Sequence, residues 1–139
     1  MCYICSSRSS RTSWFNQDLF EELVQLSGNR KDFLCRFLLA WASYDGSILP
    51  ERFEVIVPFD TRAVSIKNLM VGLFQELFGI QPKEYVAMTK IENGKSIVHL
   101  RVIQKAQRKK IAETLWPYCN EYLSRDRMEN LGAWLRLDV

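Results

Sequence analysis

The chain has 139 residues, 47% of them apolar and 25% charged, which is ordinary globular composition and excludes a disordered tail, a collagenous repeat or a mucin-like stalk. That length suits one domain able to bury roughly two-thirds of its unfolded surface, so neither disulfides nor a structural metal is required. The net charge is only +3, but its excess is C-terminal: residues 83–139 carry 11 Lys/Arg against 7 Asp/Glu, and residues 1–82 carry 8 against 9, a distribution that permits a polyanionic partner without demanding one.

Residues 1–13 are rich in Ser and Arg, show no periodicity and are expected to be mobile, leaving 14–139 as a single domain. They contain no apolar core of the kind a secretory signal needs, and no window in the chain is apolar for 18 residues, so no membrane span is expected. Cys2 and Cys5 have CxxC spacing, but no second CxxC or His pair follows, and zinc normally needs four ligands. Cys35 reads as a small core residue, and a reducing intracellular compartment is the default.

Asn16 or Asp18 can cap a first helix, which Ser27-Gly28-Asn29 ends. A second helix is expected over 31–45. Strand material follows, with Phe53, Val55, Val57 and Phe59 at period two. A third helix covers 64–78 and stops at Gly79. Two strands, 84–91 and 96–103, are joined through Asn93-Gly94, a strong hairpin signal. Helices at 105–116 and 124–135 complete the chain. This order predicts an α+β fold, one antiparallel sheet with helices on one face.

A two-residue turn at Asn93-Gly94 sets Lys90 opposite Ile97 and Met88 opposite His99, and paired residues share a face. One face would hold Tyr85, Ala87, Val98, Leu100 and Val102 and pack on helices. The other would hold Val86, Met88, Lys90, Glu92, Lys95, Ile97, His99 and Arg101, a mixed and basic set. That second face is either a solvated surface or one that lies along a phosphate backbone with side chains reaching base edges.

Residues 37–44, FLLAWASY, span two helical turns without a charge, although a surface helix should show a polar stripe. Either the helix is central to the core or it packs on a partner chain, with Phe37, Ala40, Trp41 and Tyr44 as the seam of a homodimer. Asp45-Gly46 follows. Gly46 suits a left-handed position after the helix. Asp45 meets the negative end of the helix dipole, at a cost of roughly 0.3–1 kcal/mol. Asp-Gly is a common turn dipeptide, but a residue that breaks a local rule is also where function is found.

FLLAWASYDGSI resembles the signature helix of the LAGLIDADG homing endonuclease family, of the form FLAGFxDGDGSI, with Phe37, Leu38, Asp45, Gly46, Ser47 and Ile48 matching directly. Ala40 stands at a small position and Trp41 at a large apolar one. The element order is similar to the family's αββαββα plan, and a later P-x-L-x-x-K-x-x-Q segment is echoed from Pro117 to Met128, with Arg125 and Arg127 at basic positions. The resemblance covers about residues 33–136. It implies sequence-specific hydrolysis of double-stranded DNA by a homodimer, with Mg²⁺ held at Asp45 and Gly46 and with Arg125, Arg127 or Arg101 stabilising charge at the phosphate. The same fold implies an alternative: a catalytically inactive DNA-binding regulator, or an RNA-binding splicing factor of the maturase kind.

The first hairpin, bounded by Pro50 and Pro58, is expected to be short, with Arg52, Glu54 and Ile56 outward; Arg52 is its base-reading candidate and Glu54 repels phosphate. QKAQRKK at 104–110 is either a solvated helix face or a place where Lys105, Arg108 and Lys109 touch flanking phosphates. His99, the only histidine, has no Ser or Cys set beside it for a nucleophilic triad and fits a phosphate or base contact better. Trp41, Trp116 and Trp134 read as packing. The absence of GxxxxGK[ST] and GxGxxG argues against a nucleotide cofactor. A small protein-interaction module with no nucleic-acid role is the remaining reading.

Overall fold

The computed structural model describes residues 17–59, 64–87 and 96–139. The expected mobile segment 1–13, Cys2, Cys5, Asn16, Lys90, Lys95 and the Asn93-Gly94 turn lie outside the described residues.

Helix α1 (Gln17–Ser27) buries Phe20 and Val24, four residues apart and so on one face. Gly28, left-handed at φ 80, ends it. Asn29 then caps α2 (Arg30–Asp45), its side chain accepting the Asp32 N–H at 3.0 Å. The Arg30 guanidinium ties three helices together: it reaches Glu21 of α1 at 2.9 Å and Glu76 of α3 (Val64–Phe78) at 2.5 Å. Leu34, Cys35, Leu38, Leu39 and Ala42 of α2 are buried. The helix is therefore neither fully central nor fully free: one face lies in the core of its own chain, and the other is only partly covered.

The chain leaves α2 directly into β1 (Gly46–Leu49) and turns through Pro50-Glu51 into β2 (Arg52–Phe59). After α3, which ends at left-handed Gly79, come β3 (Lys83–Ala87) and β4 (Ser96–Val102). The sheet is antiparallel in the order β1-β2-β4-β3. Ile48, Phe53, Val55, Val57, Val98, Leu100 and Val102 alternate inward and are buried under the helices. Phe53 sits between two of these, 5.9 Å from Phe74 of α3 and 6.4 Å from Trp134 of α5 (Arg125–Leu135). The expected α+β class, with helices on one face of an antiparallel sheet, is what the chain forms.

Three expectations are corrected. Ala87 lies opposite Ile97 and Tyr85 opposite His99, three residues out of step with the register of a two-residue Asn93-Gly94 turn. An odd shift exchanges the faces of a strand. Tyr85 therefore joins His99 and Arg101 on the outer face, whereas the β4 faces are as expected. Helix α4 (Lys105–Leu115) gives way at Pro117 to an unexpected 3₁₀ turn (Trp116–Glu121), because proline withholds the N–H that continuation needs. Finally, Trp134 is a core residue but Trp116 is 40% exposed, and Trp41 is half-buried.

Candidate functional site

The junction of α2 and β1 is built around Gly46. Its backbone is extended at φ −165, so the expected left-handed conformation is not adopted. Glycine is needed for a different reason: a Cβ here would stand 2.5 Å from the Glu54 carbonyl and 2.9 Å from the Ala42 backbone. β2 and the last turn of α2 close on the bare α-carbon.

Asp45, immediately before it, is exposed, and its carboxylate has no hydrogen bond or ion pair among the described residues. The C-terminal carbonyls of α2 are met by Arg127 of α5. Its Nη1 donates to Ser43 O at 2.9 Å and Ala42 O at 3.2 Å, and its Nη2 to Gly46 O at 3.3 Å. A cation there offsets the negative helix end on which Asp45 sits. Arg127 thus reaches the α2 terminus as a cap rather than a free phosphate contact. Arg125 does not join it: its side chain is 90% exposed, pairs weakly with Glu129 at 3.8 Å, and lines a separate groove with Trp116, Met128, Gly132 and Arg136.

The uncovered face of α2 ends at the same place. Phe37, Ala40, Trp41, Tyr44 and Asp45 line one shallow depression. Phe20 of α1 covers part of Phe37, with ring centroids 5.0 Å apart, while Tyr44 is 88% exposed. Trp41 donates its indole N–H to Ile56 O at 2.9 Å, beyond the point where β1 stops pairing with β2.

The outer face of the sheet is organised by Glu54, which is buried. Its Oε2 accepts Arg101 Nε–H at 2.6 Å and lies 2.6 Å from His99 Nδ1. Burial pushes the Glu54 pKa upward, but the bonds from Arg101 and His99 outweigh it and hold the carboxyl below its ordinary range. An ionised carboxylate only accepts, so His99 carries its proton on Nδ1. The Arg101 guanidinium also stacks on the Tyr85 ring at 4.6 Å. Arg52 Nε is 3.4 Å from Glu54 Oε1 but off the hydrogen-bonding direction, and it is left as a buried donor without a hydrogen bond.

Glu54 therefore gathers Arg52, His99 and Arg101 instead of repelling the groups around it. Glu54 faces Arg101 directly across the β2–β4 pair, a register that neither strand's own pattern reveals. Of the basic cluster after β4, Lys105 is exposed, but Arg108 is a structural residue and a correction to the expected phosphate contact. It is buried, donates to Ile103 O and Pro50 O at 2.8 Å each, and lies over Trp134. Lys109 donates to Leu137 O at 2.7 Å. Cys35 is buried with its thiol pushed up to about 11, which suits a packing residue.

Among the described residues there is no group of three or more His, Cys, Asp or Glu side chains that could hold a metal ion, and no helix long and apolar enough to cross a membrane. Comparisons with protein-family models, curated proteins and solved structures returned no match.

Proposed function

We propose that this chain is a sequence-specific double-stranded DNA endonuclease of the LAGLIDADG homing type, acting as a homodimer. The observation that carries the reading is Asp45: an exposed carboxylate without a partner among the described residues, at the end of a helix whose neighbouring face is apolar and only partly covered. The order α2-β1-β2-α3-β3-β4-α4 agrees with the αββαββα plan the sequence resembles.

Asp45 is a hard oxygen donor, and Mg²⁺ is commonly held by one or two carboxylates together with substrate phosphate oxygens and water, whereas the Gly46 carbonyl, the other expected metal donor, already accepts from the Arg127 guanidinium. One chain supplies one such carboxylate; two copies meeting along α2 supply two. Held at Asp45, Mg²⁺ would supply a more acidic water and would offset charge on the leaving oxygen. The chain's own residues do the rest. Arg127 holds the end of α2, and so Asp45, at a fixed place against β1. Lys105, with Lys90 and Lys95 of the segment between β3 and β4 in sequence, supplies positive charge for phosphates, and the outer sheet face lies along the groove.

The direct test incubates wild type and Asp45→Asn with Mg²⁺ and plasmid carrying the chain's own locus. Wild type is expected to cut at a discrete position, and Asp45→Asn to lose at least about a hundredfold in rate. Equal cutting by both, or none by wild type, contradicts the catalytic reading.

Arg127 favours a second reading, nucleic-acid binding without cleavage, as in a regulator or a maturase-like RNA partner. Its guanidinium is engaged by carbonyls and is not free to meet a phosphate. Binding with a steep salt dependence but no metal-dependent cutting identifies that case.

A further inference from the structure

Within the duplex-binding reading above, on which this inference rests, we propose that Arg101 is a specificity-determining residue that reads guanine and that Glu54 is the positioning residue holding it in reading geometry. Arg101 lies on β4, an interior strand, with Glu54 of β2 paired on one side and Lys83 of β3 on the other, so it is flanked by strands on both sides near one end of the sheet. Residues on the outer face of a sheet laid into the major groove can reach base edges.

The Arg101 side chain is fixed from two directions. Nε donates to Glu54 at 2.6 Å, and the guanidinium plane is stacked on Tyr85 at 4.6 Å. The Nη1 and Nη2 groups have no partner among the described residues, and the side chain is 27% exposed. What is left available is the two-pronged end of the fork, the donor pair that matches O6 and N7 of guanine. An arginine already held in one orientation loses little freedom when it makes those bonds.

Glu54 favours a base over a phosphate here, although the exposed Lys83, paired with Arg101 on its other side, adds a cation to the same face. The buried Glu54 carboxylate lies within 4 Å of both Arg52 and Arg101, at 3.4 Å and 2.6 Å, and so lowers the positive charge around Arg101. A phosphate would meet this carboxylate as a repelling neighbour, whereas guanine presents neutral acceptors to the fork. His99, with Nδ1–H turned to Glu54, lies beside it on the same face.

The test selects bound duplexes from a pool of random double-stranded DNA, using full-length wild type, Glu54→Gln and Arg101→Lys. Affinities are then measured for the selected duplex and for one with the key G·C pair changed to A·T. Wild type is expected to fix one guanine per half-site and to prefer it by roughly tenfold to a hundredfold. Both variants are expected to lose that preference, so that the selected duplex and its A·T-substituted form bind alike. Arg101→Lys keeps a cation beside Glu54, so it reports even where Glu54→Gln fails to fold.

Selection by wild type without a fixed guanine overturns the inference and leaves duplex binding standing. So does an Arg101→Lys variant that keeps the guanine preference or weakens every duplex alike, because a phosphate contact carries no sequence information. A folded Glu54→Gln protein that keeps the guanine preference overturns the positioning role. Wild type that retains no duplex from the pool overturns the nucleic-acid reading itself.

Discussion

Asp45 and Glu54 are both carboxylates, and their surroundings give them opposite tasks. Asp45 is exposed at the negative end of α2, where it is electrostatically unfavourable. Asp45→Asn is therefore expected to leave urea stability unchanged or raise it by roughly 0.3–1 kcal/mol while abolishing cutting. A clear loss of stability would show that the carboxylate is engaged in the fold and is not available to a metal. Glu54 is buried and held ionised by Arg101 and His99. Because its pKa is lowered by folding, the stability it contributes is complete above 4.5, its ordinary value, and is lost as pH falls through the lowered value. Glu76, lowered by its hydrogen bonds with Arg30, acts in the same direction. Its side chain is 42% exposed against 4% for Glu54, so solvent screens it more. Melting temperature is expected to fall on acidification below that value, and the fall should be shallower in Glu54→Gln; equal slopes would remove Glu54 as the principal linked group.

At the scale of elements, what was readable was what depends on local pattern. Ser27-Gly28-Asn29 and Gly79 mark helix stops, Ser124 marks a start, and the alternation through Phe53, Val55 and Val57 marks a strand buried on one face, whereas the cap that Asn29 gives to α2 was not read. The α2–β1 junction was legible as an Asp-Gly pair but not in its cause, since the crowding at Gly46 comes from β2, a segment nearby in space whose carbonyl position no local pattern gives. Cross-strand information was missing in the same way. Without the β2–β4 register, Glu54 looked like an acid that spoils a basic face, and Arg108 looked like one more surface cation beside Lys109 and Lys110. The β3 register is directly checkable. Cysteines at 85 and 99 are expected to form a disulfide on oxidation, because these residues face each other in the antiparallel pair. Cross-linking of cysteines at 88 and 99 in its place would restore the register of an uninterrupted Asn93-Gly94 turn and return Tyr85 to the helix side.

For the whole molecule, the distribution of surface is the informative property. The inner face of the sheet is closed by helices and the outer face is mixed, with Ile56 and Ile97 beside Glu54, His99 and Arg101, and the apolar strip of α2 is one surface among the described residues that the fold leaves partly open. Ala40 lies on that strip next to Tyr44, half-buried in the single chain, so a charge placed there should not disturb the core. In a paired seam the same charge would be buried without a partner, which association does not tolerate. Two copies meeting along α2 would also bring their Asp45 carboxylates together, which joins the interface to the chemistry. Sedimentation equilibrium of wild type and Ala40→Glu tests this most directly. A two-copy wild-type species and a folded, one-copy Ala40→Glu protein with an unchanged melting temperature are expected. Wild type that sediments as a single copy, alone and on a duplex, or an Ala40→Glu protein that still pairs, would contradict it.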